Sequence, residues 1–175
     1  NTICDFEIPS DLRLVDIDVG QISQVINNLV INASQAMPDG GIIRITASNY
    51  DHIGSGSGLP LKAVRYIRVS VSDSGIGIQD KHLKKVFDPF FTTKEKGSGL
   101  GLASCYSIIR RHDGHIEVES SPGQGTTFTF FLPASEKSEI TPVEPNNVNP
   151  PGHGRILVVD DEAAIRDITT RILTQ

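Results

Sequence analysis

Apolar residues in this chain fall into blocks whose spacing switches between helical and strand-like. Ile22, Val25, Ile26, Leu29, Ala33 and Ala36 recur every three or four positions, which places them on one helical face. The spacing predicts a helix over residues 18–37. Asp18 and Gln21 give it an Asp-x-x-Gln start close to a capping box, and Pro38-Asp39-Gly40-Gly41 ends it. Ile43, Ile45 and Ala47 then alternate with Arg44 and Thr46. Ile67, Val69 and Val71 alternate with polar residues in the same way, so both runs read as half-buried strands. Between them "GSGSGLP", residues 54–60, reads as a flexible turn. The second strand stops at Asp73-Ser74-Gly75. Residues 80–86 are a short helical candidate, and residues 100–112 a longer one with Gly114 as its C-terminal cap. Residues 115–120 and 126–132 read as strands paired around "SPGQG", and Pro133 closes the domain.

Residues 134–153 are rich in Pro, Asn and Glu and lack an apolar period, which predicts a flexible linker. The chain restarts with "RILVVDDE", a buried-strand pattern, followed by a helix from about Ala163. The expected organisation is a folded domain over 1–133, a linker over 134–153 and the start of a second domain over 154–175. Helices and strands in this mixture predict an α+β layer with one sheet face covered by helices.

Composition narrows the function classes. With 38% hydrophobic and 21% charged residues, the chain matches soluble globular proteins. No apolar run approaches the roughly 18 residues that span a bilayer. A net charge of −5 argues against a nucleic-acid-binding surface. Cys4 and Cys105 form no CxxC pair, which argues against metal or disulfide use and fits a reducing cytoplasm. The absence of a signal peptide and a start at Asn1 predict a piece of a longer protein.

Several residues suggest chemistry, each beside a plainer alternative. Asn28 and Asn32 are four apart on the first helix and share a face, with Gln24 one turn earlier. They are either a solvated polar face or neutral oxygen ligands suited to Mg²⁺. Asp73 ends a strand and is followed by Gly75 and Gly77. It is either an Asx-type turn or a carboxylate accepting from an adenine amino group, with glycines that let the backbone approach the base. Gly97, Gly99 and Gly101 precede a helix whose N-terminal amide groups suit phosphate. They fit no dinucleotide fingerprint, because the third glycine position falls on Leu102. Lys94, just upstream, is a solvated loop lysine or a phosphate ligand. Phe87, Phe90 and Phe91 are expected to pack together as a local anchor.

The order of four segments is more specific than any one of them. "QVINNLVINASQAM", "DSGIGI", "FDPFFTTK" and "GSGLGLA" resemble the N, G1, F and G2 boxes of sensor histidine kinases, relatives of gyrase-type, Hsp90-type and mismatch-repair ATPases. "SSPGQGTTFTFFLP" resembles that family's closing hairpin. The resemblance implies a two-layer α/β sandwich, a mixed sheet with helices on one face and ATP between them. By position it implies that Asn32 ligates Mg²⁺, that Asn28 lies beside the phosphates, and that Asp73 reads adenine with Thr126 behind it. Gln35, Ala36, Gly75, Gly77 and Ile78 would line the nucleotide. Thr93, Lys94, Gly97, Ser98, Gly99, Leu100, Gly101 and Leu102 would form a lid over phosphate, making Asn28, Asn32 and Lys94 the catalytic set. "RILVVDDE" resembles the first strand of a response-regulator receiver domain, so Asp160 and Asp161 would belong to an incomplete Mg²⁺ pocket.

The implied function is transfer of the ATP γ-phosphoryl group to a histidine on a separate dimerisation domain, within a hybrid kinase. Its implied partners are that histidine-bearing domain, a receiver domain or response regulator, and a second copy of the full-length protein. No nucleic-acid or membrane contact is expected from this chain, and a cytoplasmic location is. His52, His82, His112, His115 and His153 lie in loops, at helix ends or in the linker, so none is expected to be the acceptor. Two alternatives remain: an ATP-driven conformational clamp, and a module that senses ATP without chemistry. The clamp relatives carry a glutamate where this chain has Asn28, and an amide cannot act as a base for hydrolysis.

Overall fold

The computed structural model describes residues 2–52, 60–61, 64–94 and 97–136. The turn expected at 54–60 lies outside them except for Pro60. So do most of the expected linker and all of 154–175, with Asp160 and Asp161.

Eight elements follow in order: β1 (Thr2–Glu7), α1 (Val19–Ala36), β2 (Gly41–Asp51), β3 (Arg65–Asp73), α2 (Asp80–Leu83), α3 (Gly101–Arg111), β4 (His115–Ser120) and β5 (Thr126–Pro133). The strands form one sheet in the order β1-β2-β3-β5-β4. β1 pairs with β2 in parallel and all other pairs are antiparallel. The sheet is therefore mixed, as the resemblance implied. Val25, Leu29 and Ala33 of α1 and Cys105, Ile108 and Ile109 of α3 pack on one sheet face, against Ile43, Ile45, Ile67, Val71, Ile116, Phe128, Phe130 and Leu132. The other face is polar through its middle. Ser70 faces Thr129 and Ser72 faces Thr127, each hydroxyl pair 3.0 Å apart.

The start of α1 is held twice. Asp18 Oδ1 accepts from the Gln21 amide at 2.9 Å, and Gln21 Nε2 reaches Asp18 Oδ2 at 3.3 Å. The Asp18 amide also donates to His112 Nε2 at 3.1 Å, while His112 Nδ1 sits 2.8 Å from the Ile108 carbonyl. Both bonds form only if His112 is neutral with its proton on Nδ1. This ring ties the start of α1 to the end of α3. Asp18→Ala removes the cap and leaves the His112 bond in place. It is expected to cost about 1 kcal/mol, seen as a lowered thermal midpoint. An unchanged midpoint would show that the His112 bond alone fixes this helix start.

Three expectations need correction. β1 is absent from the pattern reading because its apolar residues are not inward: Ile3 and Phe6 stay exposed at the sheet edge. The short helix expected over 80–86 is one turn, Asp80–Leu83, followed by turns. Gly114 is not the left-handed cap of α3. Asp113 takes that conformation, with φ 55°. The Asp113 and Gly114 amides then bond back to the Arg110 and Ile109 carbonyls at 3.1 and 2.9 Å, which is a Schellman ending. Glycine is needed at 114 because a Cβ would lie 2.4 Å from the Phe131 carbonyl oxygen. Beyond β5, Ala134 bridges to Val15 and the Ser135 amide donates to the Leu14 carbonyl at 2.7 Å. Contacts of the domain thus continue past Pro133 through Ser135.

Candidate nucleotide site

The sheet end of β3 and the C-terminal end of α1 meet. Asp73 closes β3, and its Oδ1 accepts from the Gly75 amide at 2.8 Å. Thr126 pairs with Asp73 across the β3–β5 register, and its amide favours the charged form of the same carboxyl group. Partial burial pushes the Asp73 pKa up, and these two amide groups partly offset that. The chain then turns under α1: the Ile76 amide donates to the Ala36 carbonyl at 3.1 Å. Gly77 follows with φ +70°, and a Cβ there would lie 2.1 Å from the Ser121 carbonyl oxygen. Only glycine meets both demands. Ile78 packs its side chain on the core, and its amide donates to Ser120 Oγ at 2.8 Å.

Ser120 is the residue the sequence reading missed. Its hydroxyl also lies 2.7 Å from the Gly125 carbonyl and 3.0 Å from Thr126 Oγ1. It therefore links the turn after β3 to the hairpin between β4 and β5. Its place as the last β4 residue before "SPGQG" was visible, but a strand-end serine has no distinctive signature.

The second half of the site is built on α1. Asn28 Nδ2 donates to the Gly101 carbonyl at 3.2 Å, which joins α1 to the start of α3. Beneath it, burial pushes the Cys105 thiol pKa up to about 11, partly offset by the Asn28 amide. Asn32 and Gln35 meet Lys94, whose Nζ donates to Asn32 Oδ1 at 3.0 Å and to Gln35 Oε1 at 2.5 Å. The lysine is exposed along its length, but its ammonium end has lost part of its water. That loss lowers its pKa, because two neutral amide oxygens solvate the charge without cancelling it.

The lid base is held by backbone. The Phe90 amide donates to the Gly99 carbonyl at 2.9 Å. Phe90 itself has φ 66°, an uncommon and strained conformation for an aromatic residue. A Cβ on Gly99 would lie 2.4 Å from the Phe90 carbonyl carbon. The expected cluster of three phenylalanines is therefore wrong for Phe90, which is 74% exposed. The left-handed turn that lets its backbone reach Gly99 points its ring outward. Phe87 packs against Tyr106 and Phe128, Phe91 lies beside His82, and Val86 is buried. Thr93, Gly97 and Ser98 are exposed on the lid, and Leu102 packs on the core. The start of α3 at Leu100 and Gly101 has no side-chain cap and no acidic residue in its first turn. Its amide groups are thus suited to an anion.

Among the described residues no cluster of three or more His, Cys, Asp or Glu side chains is arranged for a metal. A cation here would rest on amide oxygens, and the Lys94 ammonium already sits on two of them. That donor chemistry fits a hard ion that takes its remaining ligands from phosphate and water. A cavity of roughly 560 Å³ lies at the other end of α1 between Asp16, His112 and Glu136. None of the candidate residues lines it.

Residues 17–136 match the family described as "Histidine kinase-, DNA gyrase B-, and HSP90-like ATPase", and the chain belongs to that family. Within it, the chain is of the histidine-kinase catalytic-domain type. It shares 38% identity and a TM-score of 0.58 with the nucleotide-free catalytic domain of histidine kinase ThkA, covering 76% of this chain and 78% of that one. Full-length ShkA in complex with AMPPNP gives a TM-score of 0.61 at 28% identity, over 76% of this chain and 26% of that one. Sensor kinase CckA of Brucella abortus is 38% identical over 169 residues, 89% of this chain and 18% of the relative. Sensor histidine kinase ZraS of Escherichia coli K12 is 41% identical over 130 residues, 74% of this chain and 25% of the relative. The chain thus spans a quarter or less of these two kinases. No helix among the described residues is long and apolar enough to cross a membrane.

Proposed function

We propose that this chain binds Mg²⁺-ATP and donates its γ-phosphoryl group to a histidine on a separate helical dimerisation domain of the same protein. The observation that carries the reading is the division of the site into two halves. A carboxylate held by the Gly75 amide and paired across the sheet with Thr126 stands at one end, and a lysine gathered onto amide oxygens of α1 stands at the other. Asp73 accepts from the adenine amino group, with Gly75, Gly77, Ile78 and Thr126 shaping the base pocket and Ala36 joining it to α1. Asn32 and Asn28 face the phosphates, and Asn32 Oδ1 would hold Mg²⁺. The ion would neutralise phosphate charge and orient the γ-phosphate for attack by the acceptor histidine. Lys94 moves from Asn32 and Gln35 to the phosphate oxygens. Thr93 and the stretch from Gly97 to Leu102 close over them, with the amide groups from Gly97 to Gly101 turned to phosphate.

Asn28 favours transfer over hydrolysis. Its Nδ2 is committed to Gly101, and an amide takes no proton from water. His112 is committed to both helices and is not an acceptor. The clamp alternative finds no base on α1 to activate water. The domain division at 133 and 153, a hybrid architecture with a receiver beginning near residue 154, and Mg²⁺ at Asp160 and Asp161 belong to the same reading. The segment "RILVVDDE" is what supports them. A homodimeric, cytoplasmic kinase core and a receiver or response-regulator partner follow from this assignment.

The test uses the chain alone and then with its helical acceptor domain supplied in trans. The chain alone is expected to bind ADP by calorimetry, to label none of its own histidines from γ-labelled ATP, and to hydrolyse ATP very slowly. Adding the acceptor domain should give acid-labile label on that domain. Rapid turnover by the chain alone would favour the clamp instead.

A further inference from the structure

We propose that Ser120 sets the adenine selectivity of this site by fixing the direction in which the Thr126 hydroxyl donates its proton. The inference rests on the nucleotide site proposed above. A serine hydroxyl has one proton and two lone pairs. The Gly125 carbonyl oxygen, 2.7 Å from Ser120 Oγ, cannot donate, so it receives the Ser120 proton. The Ile78 amide, 2.8 Å away, can only donate, so it occupies one lone pair. Thr126 Oγ1 lies 3.0 Å from the same oxygen. The one bond left between the two hydroxyls is the one in which Thr126 donates to Ser120. Thr126 is 5% exposed, and at that burial its proton needs a partner.

With its proton turned inward, Thr126 Oγ1 keeps only lone pairs for anything bound beside it. Its neighbour across the sheet is Asp73, whose carboxylate is likewise an acceptor. The Asp73–Thr126 pair therefore presents two acceptors to a bound base. Adenine offers an amino donor at C6, whereas guanine and hypoxanthine offer a carbonyl oxygen there. A 6-oxo purine would set its oxygen against two acceptors and leave buried polar groups unpaired, which is the strongest form of rejection a small site has. Removing the Ser120 hydroxyl frees the Thr126 proton to turn toward the base. The pocket then gains the donor that a 6-oxo purine needs.

The experiment is calorimetric titration of the whole chain with Mg²⁺-ADP and Mg²⁺-IDP, whose base is hypoxanthine. Wild type should prefer ADP strongly. In Ser120→Ala the ADP-to-IDP affinity ratio should fall about tenfold, the size of one redirected hydrogen bond. Ser120→Thr, which keeps a hydroxyl, should hold the ratio near the wild-type value. If Ser120→Ala weakens both nucleotides equally and leaves the ratio within about twofold, Ser120 is only a brace for the loop and the proposal is wrong. Should Ser120→Ala not fold, Thr126→Val carries the test, since it deletes the oriented hydroxyl. An unchanged ratio in that variant overturns the proposal as well. A wild type that binds both nucleotides equally would instead reject the base-pocket reading itself, and this inference with it.

Discussion

Asp73→Asn is expected to weaken ADP binding about ten- to a hundredfold while leaving the fold intact. The carboxylate is anchored by the Gly75 amide, and an asparagine oxygen can keep that bond. Its NH₂ group then replaces an acceptor and meets either a backbone amide or the adenine amino group, donor against donor. Losing a charge-assisted bond costs roughly 1.5–3 kcal/mol, which gives the stated range. The pH dependence supplies an independent check. Partial burial holds the Asp73 pKa above the usual carboxylate value, so ADP affinity should fall with pH before ordinary carboxylates titrate. The empty fold should respond in the opposite sense. Its Asp73 binds a proton more tightly than the unfolded chain does, so this group adds stability as pH falls through the raised pKa and loses it again as pH rises. Calorimetry and thermal melts between about pH 4 and 7 should show affinity and empty-state stability moving in opposite directions for wild type only. Equal ADP affinity in wild type and Asp73→Asn would remove Asp73 from the base pocket.

Wherever burial is one-sided, the fold could be read from the sequence. Val25, Leu29 and Ala33 are among the innermost residues, and their spacing is what predicted α1. β2, β3 and β5 alternate over much of their length because one sheet face meets helices and the other is polar through its middle. β1 was illegible for the converse reason. As an edge strand with exposed Ile3 and Phe6, its place is decided by backbone pairing with β2, which leaves no mark on side-chain pattern. Phe90 misled for a related reason, since residue type signals burial but the left-handed turn at this position is a backbone event. The site followed the same division. Asn28, Asn32, Asp73 and Lys94 stand out because amides and charges need a reason to sit beside an apolar stripe. Gln35 and Ser120 gain their meaning from partners 59 and 42 residues away in the chain, a relation that only the folded chain displays.

Asn32→Asp is expected to keep nucleotide binding within a few-fold while slowing phosphoryl transfer a hundredfold or more, the usual scale for disturbing preorganised charge. In the wild type, Lys94 rests on Asn32 Oδ1 and Gln35 Oε1 with no opposing charge, and its pKa is lowered by loss of water. Its partners are neutral, so charged phosphate oxygens would outcompete them for the ammonium. An aspartate at 32 turns that contact into an ion pair, and the lysine gains a reason to stay. The added charge would also bind Mg²⁺ more tightly and repel the γ-phosphate oxygens, so the ion and the reacting group are pulled apart. The assay is labelling of the acceptor histidine by γ-labelled ATP in the complete kinase core. A second variant separates the two causes. Lys94→Met alone should slow transfer by removing the phosphate ligand. If sequestration of the lysine dominates, Asn32→Asp combined with Lys94→Met should be no slower than Lys94→Met by itself. If repulsion of phosphate dominates, the double variant should be slower than either single one, and raised salt should recover part of the loss by screening. Undiminished labelling in Asn32→Asp would show that residue 32 touches neither the ion nor the phosphate, and would detach α1 from the chemistry assigned to it.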